Sequence, residues 1–368
     1  MVINRIFRKA SLLYWMYKER RSWYNDFQHF KMTAPSVLTP MQKKQVKSYF
    51  KKYGFEIKTD WHDYYTSLTG IFSEKYIPAD LMYTVIVPYL NYMPFELSYQ
   101  DKGMYWRTLP NVRKPRTIVQ RIHSFYYDGQ HKPITEIEAL DICLKVQEAI
   151  IKPTINSCQG QGVKLITSSD YLQKDGKKLY DLLRNYGDDF ILQEKVQQCD
   201  FLSSLNESSL NTMRILTLRI GNNILVLSTA IRIGGKGSIT DNGYGGGYSC
   251  GINEDGTLKE TGFRLTTGER VKELQNGTPL KGLTIPHFDK VIDKAKELHL
   301  TLPYLRIIGW DFTIDKDFEP VFIELNSLPG IYIMQLNNGP VFGKYTDEIL
   351  RQVSKVKHTF IPKIHRTY

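Results

Sequence analysis

Two carboxylates and one carboxamide near the end of the chain have the types and the spacing of a divalent-cation site. Asp311 lies in one apolar segment, and Glu324 and Asn326 lie in the next, across the polar turn 315–320. Side chains alternate between the two faces of a strand, so Glu324 and Asn326 share one face, with Phe322 behind them. A hairpin at the turn would bring Asp311 opposite that face. Because Mg²⁺ prefers carboxylate and amide oxygens, the sequence predicts a magnesium site on this hairpin.

A lysine beside a glycine-rich loop has the features of a phosphate-binding site. Lys152 lies in the apolar run 149–153, which reads as a buried strand, and Gly160 and Gly162 follow shortly after it. Such a loop can hold phosphates through the lysine charge and through closely approaching backbone N–H groups. It lacks both the Gly-Lys-Ser/Thr of a P-loop and the third glycine of a dinucleotide-binding fingerprint. An ordinary glycine turn between strands is the alternative.

A polar strand end and an isolated lysine are further candidates for contact with a nucleotide. The run 189–196 reads as a strand with a polar end, and Asp200 follows it. Backbone groups at such an end can pair with an adenine edge, and a nearby acid can accept hydrogen bonds from ribose hydroxyls. An edge strand with a solvated end explains this segment equally well. Lys102, taken alone, has the character of a surface charge.

The elements that must position these residues change in character along the chain. Residues 1–99 read as mainly helical, and short β-rich runs with glycine-rich turns follow from about residue 100. The runs 213–220 and 224–233 predict a hairpin over a three-residue turn, and 288–300 is a long helical pattern before the final hairpin. Strands with intervening helices and several hairpins predict an α+β fold with a mixed or antiparallel sheet.

The predicted hairpin carries one arginine on each strand, Arg214 and Arg232. Planar guanidinium groups suit a carboxylate substrate and the charge of an acylphosphate. An arginine in a strand is more often a salt-bridge partner at the rim of a site. We favour the functional interpretation because two arginines occur within one hairpin.

Length and composition limit the class of protein. The chain has 368 residues, 42% of them hydrophobic and 12% aromatic, which is enough for two or three packed lobes and excludes a mainly disordered protein. Its four cysteines are widely spaced without a Cys-x-x-Cys pair, which indicates a reducing compartment rather than a zinc site or a disulfide framework. No apolar run approaches the roughly 20 residues of a membrane span, and no cleavable signal begins the chain. We therefore expect a cytoplasmic protein.

The formal net charge of +11 is not evenly spread, and basic residues are interleaved with aromatic and aliphatic ones between residues 5 and 24. A basic amphipathic helix can lie on an anionic membrane surface at the inner face of the membrane. It can equally pack its aromatic side on the body of the protein, and both interpretations stay open. We expect no nucleic-acid partner, because no recognised nucleic-acid module accompanies the charge.

The order of these residues along the chain resembles that of the ATP-grasp superfamily, in which two lobes clamp Mg-ATP between antiparallel sheets. More narrowly, the chain resembles the sugar-transfer-associated ATP-grasp proteins of polysaccharide gene clusters, with the teichuronopeptide-type ATP-grasp group as the runner-up. The resemblance covers about residues 100–340. Five motifs carry it: Asn211-Thr212-x-Arg214-Ile215, Ile231-Arg232-Ile233-Gly234, Asp241-Asn242 before Gly245-Gly246-Gly247, Gly309-Trp310-Asp311 and Glu324-x-Asn326.

The resemblance implies a role for each candidate residue. Lys102 and Lys152 would contact the ATP phosphates, and Gly160 and Gly162 would belong to a loop that closes over them. The adenine hinge and the ribose neighbour would be formed by Gln193, Glu194, Lys195, Val196 and Asp200. The Mg²⁺ ligands would be Asp311, Glu324 and Asn326. The catalytic residues would be Asn211, Arg214 and Arg232.

The resemblance also implies a domain organisation. A mainly helical region, 1–99, would precede an ATP-grasp domain at 100–368. Within that domain, a mobile lid lobe would occupy about 112–196, and a catalytic core lobe would occupy about 197–345.

The activity implied by the resemblance is an ATP- and Mg²⁺-dependent carboxylate–amine ligase that acts through an acylphosphate. Its partners would be ATP, a carboxylate-bearing sugar or glycan, and an amino acid or other amine, in surface or capsular polysaccharide biosynthesis. Two alternatives stay open. One is an ATP-grasp kinase that phosphorylates a sugar hydroxyl. The other is a nucleotide-binding accessory protein of a glycan assembly complex at the membrane surface.

Overall fold

The computed structural model describes residues 36–155, 160–171, 177–243 and 245–356, together with Tyr14 and Lys18. The predicted basic amphipathic start of the chain therefore lies outside the described residues, apart from those two. Among the described residues, every helix is too short or too polar to span a bilayer.

The N-terminal region is helical where the structure describes it. Helix α1 (Pro40–Lys51) begins with a capping box, in which the Thr39 side chain accepts from the Gln42 backbone and the Gln42 side chain accepts from the Thr39 backbone. Helix α2 (Asp60–Thr69) ends at Gly70, which adopts the left-handed conformation common at helix C-termini. Both ends thus follow from local sequence signals.

A π-helical turn interrupts the next helix just before a proline. Helix α3 (Ala79–Leu81) continues through the turn Met82–Ile86 into α4 (Val87–Leu90), and Pro88 lies in the first turn of α4. Because proline has no N–H and its ring crowds the preceding turn, a widened turn at this point relieves the conflict. Two short helices, α5 (Glu96–Gln100) and α6 (Tyr105–Thr108), lead on to the sheets.

The smaller of two sheets is six-stranded and antiparallel throughout. Its strands are β1 (Thr117–Ile122), β2 (Phe125–Asp128), β3 (Pro133–Ile134), β4 (Glu148–Pro153), β5 (Lys164–Thr167) and β6 (Phe190–Gln193). They are arranged in the order β3-β2-β1-β6-β4-β5. The intervening helices are α7 (Glu136–Cys143), α8 (Ser168–Tyr171) and α9 (Lys177–Asn185). Apolar residues of α7 and α9 pack on the sheet to form a core of its own.

The larger sheet has seven antiparallel strands. They are β7 (Thr212–Ile220), β8 (Asn223–Ile233), β9 (Tyr248–Ile252), β10 (Leu258–Arg264), β11 (Arg270–Val271), β12 (Ile307–Ile314) and β13 (Pro320–Asn326), in the order β11-β10-β9-β8-β7-β12-β13. The accompanying helices are α10 (Asp200–Leu205), α11 (Phe288–Leu300), α12 (Tyr332–Asn338) and α13 (Thr346–Val356).

The larger sheet separates two cores. Residues of α11 pack with Trp310 and Phe312 on one face, whereas the N-terminal helices, α12 and α13 cover the other. Strand alternation explains the division, since Ile215 belongs to the first core and its neighbour Leu216 to the second. Both faces of the sheet are thus buried.

The structure confirms most of the elements predicted from the sequence. Both hairpins are present, and α11 has the predicted bounds. The turn between β7 and β8 has two residues rather than three, because Ile220 pairs with Asn223. The predicted strand 189–196 is shorter, since β6 ends at Gln193. The helices and the two antiparallel sheets confirm the α+β class.

Candidate active site

Three neighbouring strands of the larger sheet place one charged residue each in a row. Arg214 on β7 is opposite Asp311 on β12, and Asp311 is opposite Glu324 on β13. Asn326 pairs with Gly309, two positions further along the hairpin. The hairpin therefore brings Asp311, Glu324 and Asn326 together, as its sequence predicts.

A β-bulge changes which side chains of β13 face the site. The ladder passes from Glu324 directly to Phe322, so Ile323 has no opposite residue on β12. Phe322 is fully buried in the core, whereas Ile323 lines the same cleft as Lys102. The expectation that Phe322 lies on the face of Glu324 is wrong, because strict alternation holds only for an unbroken ladder.

Asp311 is a buried carboxylate held by two arginines, and its side chain is 3% exposed. Arg214 binds it with two nitrogens: Nε contacts Oδ1, and Nη2 donates to Oδ2 at 2.8 Å. Arg232 Nη1 donates to the same Oδ2 at 3.3 Å. Burial alone would lower the pKa of the Arg214 guanidinium, but Asp311 raises it overall, so this arginine stays charged.

Arg232 also contacts a second buried acid, Asp241, with 3.1 Å between Nη2 and Oδ1. The hydroxyl of Thr212 contacts the other carboxylate oxygen of Asp241. Asp241 belongs to one of the sequence motifs, but it was not among the predicted site residues. Its place directly before a glycine-rich run is the signal that could have identified it.

Two lysines and Glu324 form the other half of the charged cluster. Lys102 Nζ lies 3.2 Å from a Glu324 carboxylate oxygen. Burial, together with the nearby charge of Lys102, lowers the pKa of Lys152 to about 8. Burial opposes ionisation of Glu324, but Lys102 and Arg214 bring its pKa down to about 2. Two neighbouring lysines of like charge favour a polyanion, because its binding removes their mutual repulsion.

A narrow cleft lies between the two sheets at these lysines. The smaller sheet lines it with Thr117, Gln120, Lys152, Ile191 and Gln193. Ile323 lines it from the larger sheet, and the turn at Lys102 lies beside it. Trp106 and His131 complete one wall, with their rings stacked at a centroid distance of 4.3 Å. Sequence analysis missed these two residues, since no local motif marks them and only the tertiary fold brings them together.

Of the residues assigned to the adenine hinge, Gln193 lies in the cleft. Its side chain is buried and donates to the Pro115 carbonyl at 3.1 Å. Glu194 follows, and its backbone N–H donates to the Arg116 carbonyl while its carboxylate pairs with the Arg116 guanidinium at 3.1 Å. The Glu194 side chain is therefore occupied by a neighbour from the segment before β1.

The remaining residues of this group lie beyond the end of β6. Lys195 pairs with Glu148 at 3.2 Å, and both side chains are about half exposed. Val196 is partly buried in the connection that follows. Asp200 is exposed at the first position of α10. The structure thus groups Gln193 with the lysines of the cleft, but places the Lys195 charge in a separate surface pair.

Gly160 and Gly162 lie in the loop after β4, where the loop backbone comes close to neighbouring residues. Both have positive φ angles, 71° and 77°. A Cβ at Gly160 would lie 2.3 Å from Asn242 Nδ2, and a Cβ at Gly162 would lie 2.9 Å from Pro153. These positions therefore require glycine, and the loop contacts the glycine-rich segment of the larger sheet. The preceding loop residues, 156–159, lie outside the described residues.

Asn211 is fully buried and has a fixed side chain. Its amide nitrogen donates to the carbonyls of Leu202 and Asn206, and its oxygen accepts from the Ser209 hydroxyl and the Gly234 backbone. Every one of these bonds is internal, so the side chain ties the start of β7 to the segment after β8. This geometry indicates that Asn211 supports the strands that carry the arginines.

The predicted Mg²⁺ ligands have the donor types that the ion requires. Asp311 and Glu324 offer carboxylate oxygens, and Asn326 offers an amide oxygen. The buried amide nitrogen of Asn326 has no hydrogen-bond partner among the described residues. Turning the Asn326 amide oxygen towards a cation would therefore break no hydrogen bond of this nitrogen. No cluster of three or more His, Cys, Asp or Glu side chains suited to a metal occurs in the described ranges. In this structure both Asp311 oxygens contact arginines and Glu324 contacts Lys102, so a Mg²⁺ ion held by these residues would have to share the carboxylates with those cations.

The chain is similar to several solved structures and matches one family model. Among solved structures, the D-alanyl-alanine synthetase A of Vibrio cholerae matches at 11% identity and a TM-score of 0.41, covering 72% of this chain and 66% of that one. The L-amino acid ligase of Bacillus licheniformis matches at 14% identity and a TM-score of 0.40, covering 72% of this chain and 51% of that one. The chain thus spans about half to two thirds of these relatives. No curated protein matches it significantly. The family described as sugar-transfer associated ATP-grasp matches residues 115–351.

Proposed function

The chain belongs to the sugar-transfer associated ATP-grasp family, and from this membership we propose that it is an ATP- and Mg²⁺-dependent ligase joining a carboxylate to an amine. The membership confirms the resemblance inferred from the sequence motifs. The observation that carries the proposal is the charged cluster at the cleft between the two antiparallel sheets. It combines Lys102 and Glu324 with the Arg214–Asp311–Arg232 group.

The proposed roles begin with the nucleotide. Lys102 and Lys152 hold the ATP phosphates, and the loop that contains Gly160 and Gly162 covers them. Gln193 faces the nucleotide from the cleft wall, with Glu194, Lys195 and Val196 forming the hinge and Asp200 beyond it. A bound Mg²⁺, held by Asp311, Glu324 and Asn326, would neutralise phosphate charge. Phosphoryl transfer depends mainly on such positioning and charge neutralisation, which these residues supply.

The proposed reaction has two steps. A carboxylate oxygen of the acceptor attacks the γ-phosphorus of ATP, the bond to the β-phosphate breaks, and ADP leaves. The amine then attacks the acyl carbon of the resulting acylphosphate, forms an amide, gives up a proton and releases inorganic phosphate. Of the two arginines proposed as catalytic, Arg232 would orient the carboxylate, and Arg214 would hold Asp311 in place.

For the substrates, the family description supports a sugar-linked acceptor. We propose a carboxylate-bearing sugar or glycan of surface polysaccharide, joined to an amino acid or other amine. The basic start of the chain would place the enzyme at an anionic membrane surface on the cytoplasmic side.

The proposal is tested by measuring ADP, phosphate and product with purified protein, Mg-ATP, uronic acids and amino acids. With an ¹⁸O-labelled carboxylate, the ligase transfers one ¹⁸O to the released phosphate and forms an amide. A kinase instead leaves the phosphate on the sugar, and an accessory protein binds nucleotide without turnover. Either of these results would contradict the proposal.

Variants connect that assay to the site. Glu324→Gln should strongly reduce the rate of ADP release, whereas Glu319→Gln should not. Glu319 is a half-exposed carboxylate next to the start of β13, where it pairs with Lys290 on the surface. It is therefore a matched control for a carboxylate-to-amide change in this hairpin.

A further inference from the structure

The two arginines at the site are held in different ways. Arg214 is bound by two nitrogens to one carboxylate, Asp311, and the two side chains are 11% and 3% exposed. Arg232 is shared, with one nitrogen 3.3 Å from Asp311 and another 3.1 Å from Asp241. The two-nitrogen pair commits Arg214 to Asp311, whereas Arg232 is held between two acids by one contact to each.

Arg232 also has an unused donor. Its Nε is buried and has no hydrogen-bond partner among the described residues. A buried N–H without a partner is costly, and an incoming acceptor oxygen would remove that cost. Arg232 is therefore the arginine better suited to bind an oxyanion, while Arg214 serves as the fixed counter-ion of Asp311.

Asp241 determines where Arg232 can point. One of its oxygens contacts Arg232, and the other contacts the Thr212 hydroxyl, which holds the carboxylate in place. The Asp241 side chain is 12% exposed. If its charge were removed, Asp311 would be the remaining carboxylate contact of Arg232, and the guanidinium would move towards Arg214.

Asp241 also lies at the start of the segment that contacts the loop containing Gly160. The next residue, Asn242, accepts a hydrogen bond from the Gly245 backbone at 3.1 Å, and its amide lies against Gly160. The carboxylate thus connects Arg232 on β8, Thr212 on β7 and the segment that meets the loop after β4. Its effect on a bound ligand would pass through Arg232.

We propose that Asp241 is a positioning residue that holds Arg232 ready to bind an oxyanion, namely the acceptor carboxylate or the phosphate released from its acylphosphate. This inference rests on the proposed function, because it places the acceptor beside the nucleotide. The ligand of Arg232 would be a single oxyanion that binds together with Mg-ADP.

The test uses inorganic phosphate as the probe, titrated calorimetrically into the full chain with saturating Mg-ADP. Asp241→Asn and Arg232→Ala should each weaken phosphate binding at least tenfold, while Mg-ADP affinity changes less than twofold in Asp241→Asn. Thr212→Val removes only the hydroxyl and should weaken phosphate binding about threefold. Asp255→Asn, at an exposed turn, is the control and should change nothing.

The double variant Asp241→Asn/Arg232→Ala distinguishes positioning from independent contact. If Asp241 acts through Arg232, the double variant binds phosphate as weakly as Arg232→Ala alone, because coupled residues are not additive. Multiplicative losses would show that Asp241 acts separately and would overturn the proposal. So would unchanged phosphate affinity in both Asp241→Asn and Thr212→Val.

Two outcomes of the wild-type titration separate this inference from the proposed function. Absence of Mg-ADP binding would contradict the ligase itself. Binding of Mg-ADP without phosphate binding would leave the nucleotide site intact and overturn only the assignment of Arg232 and Asp241.

Discussion

Acidification should destabilise the protein through His299, a fully buried histidine behind the site. Its Nε2 lies 3.1 Å from the Leu305 carbonyl, which can only accept, so Nε2 carries the proton. Nδ1 then accepts from the Thr217 hydroxyl at 2.7 Å, and that hydroxyl accepts from Trp310 Nε1 at 2.8 Å. Protonation of Nδ1 would make the Thr217 hydroxyl an acceptor, so its own proton would have to move to the more distant Ile308 carbonyl at 3.4 Å, beside Trp310 and Asp311.

The size of the effect follows from the pKa difference between folded and unfolded states. Burial lowers the pKa of His299 from 6.5 to about 4. Because the unfolded state binds the proton more readily, stability is complete above pH 6.5 and falls as the pH drops towards 4. At 1.36 kcal/mol per pKa unit, one such group costs about 2 kcal/mol of unfolding free energy between pH 7 and pH 5. His62, whose pKa burial also lowers to about 4, adds a similar loss.

Urea unfolding at pH 7 and pH 5 tests this reasoning. Replacing His299 by Gln removes one titrating group, so the loss between the two pH values should shrink by about 2 kcal/mol relative to wild type. His123→Gln is the control, since His123 is exposed. An equal loss in wild type and His299→Gln would refute the reasoning, because it would mean that His299 titrates as it does in the unfolded chain.

Further variants address the site itself. Glu324→Gln should reduce the rate of ADP release by about 10² to 10³, while Glu319→Gln stays within twofold of wild type; similar rates in both would remove Glu324 from the site. Lys102→Ala removes a charged partner and should raise the dissociation constant of Mg-ATP about tenfold, as measured by calorimetry, with an unchanged constant arguing against a phosphate contact. Gly160→Ala places a Cβ 2.3 Å from Asn242 Nδ2 at a positive φ and should cost about 1 kcal/mol or more of stability, while an unaltered urea midpoint would contradict the close approach.

Elements with local signals were predictable from the sequence. The two apolar runs on either side of the polar turn 315–320 correctly predict the hairpin of β12 and β13. The periodic pattern of 288–300 likewise gives the bounds of α11. In both cases the pattern and the turn residues lie within one short segment, so no knowledge of distant contacts is needed.

Features that depend on tertiary contacts were not predictable. The bulge at Ile323 exposes it to the cleft, and nothing in the run 320–326 distinguishes it from an unbroken strand. The pairing of Asp311 with Arg214 depends on β7 lying beside β12, although 97 residues separate the two side chains. Trp106 and His131 stack only when the smaller sheet folds. The sequence therefore identifies the charged residues, but not which of them neutralise one another.

The measurement that tests the central claim most directly is thermal unfolding of the full chain with Mg²⁺ and a non-hydrolysable ATP analogue. At 100 times its dissociation constant, a ligand that binds only the folded state stabilises it by about 2.7 kcal/mol. We expect a stabilisation of this size in wild type that requires Mg²⁺ and that falls to about 1.4 kcal/mol in Lys102→Ala at the same concentration, because the dissociation constant is about tenfold higher. No change at millimolar analogue with Mg²⁺ would contradict the claim that this cleft binds Mg-ATP.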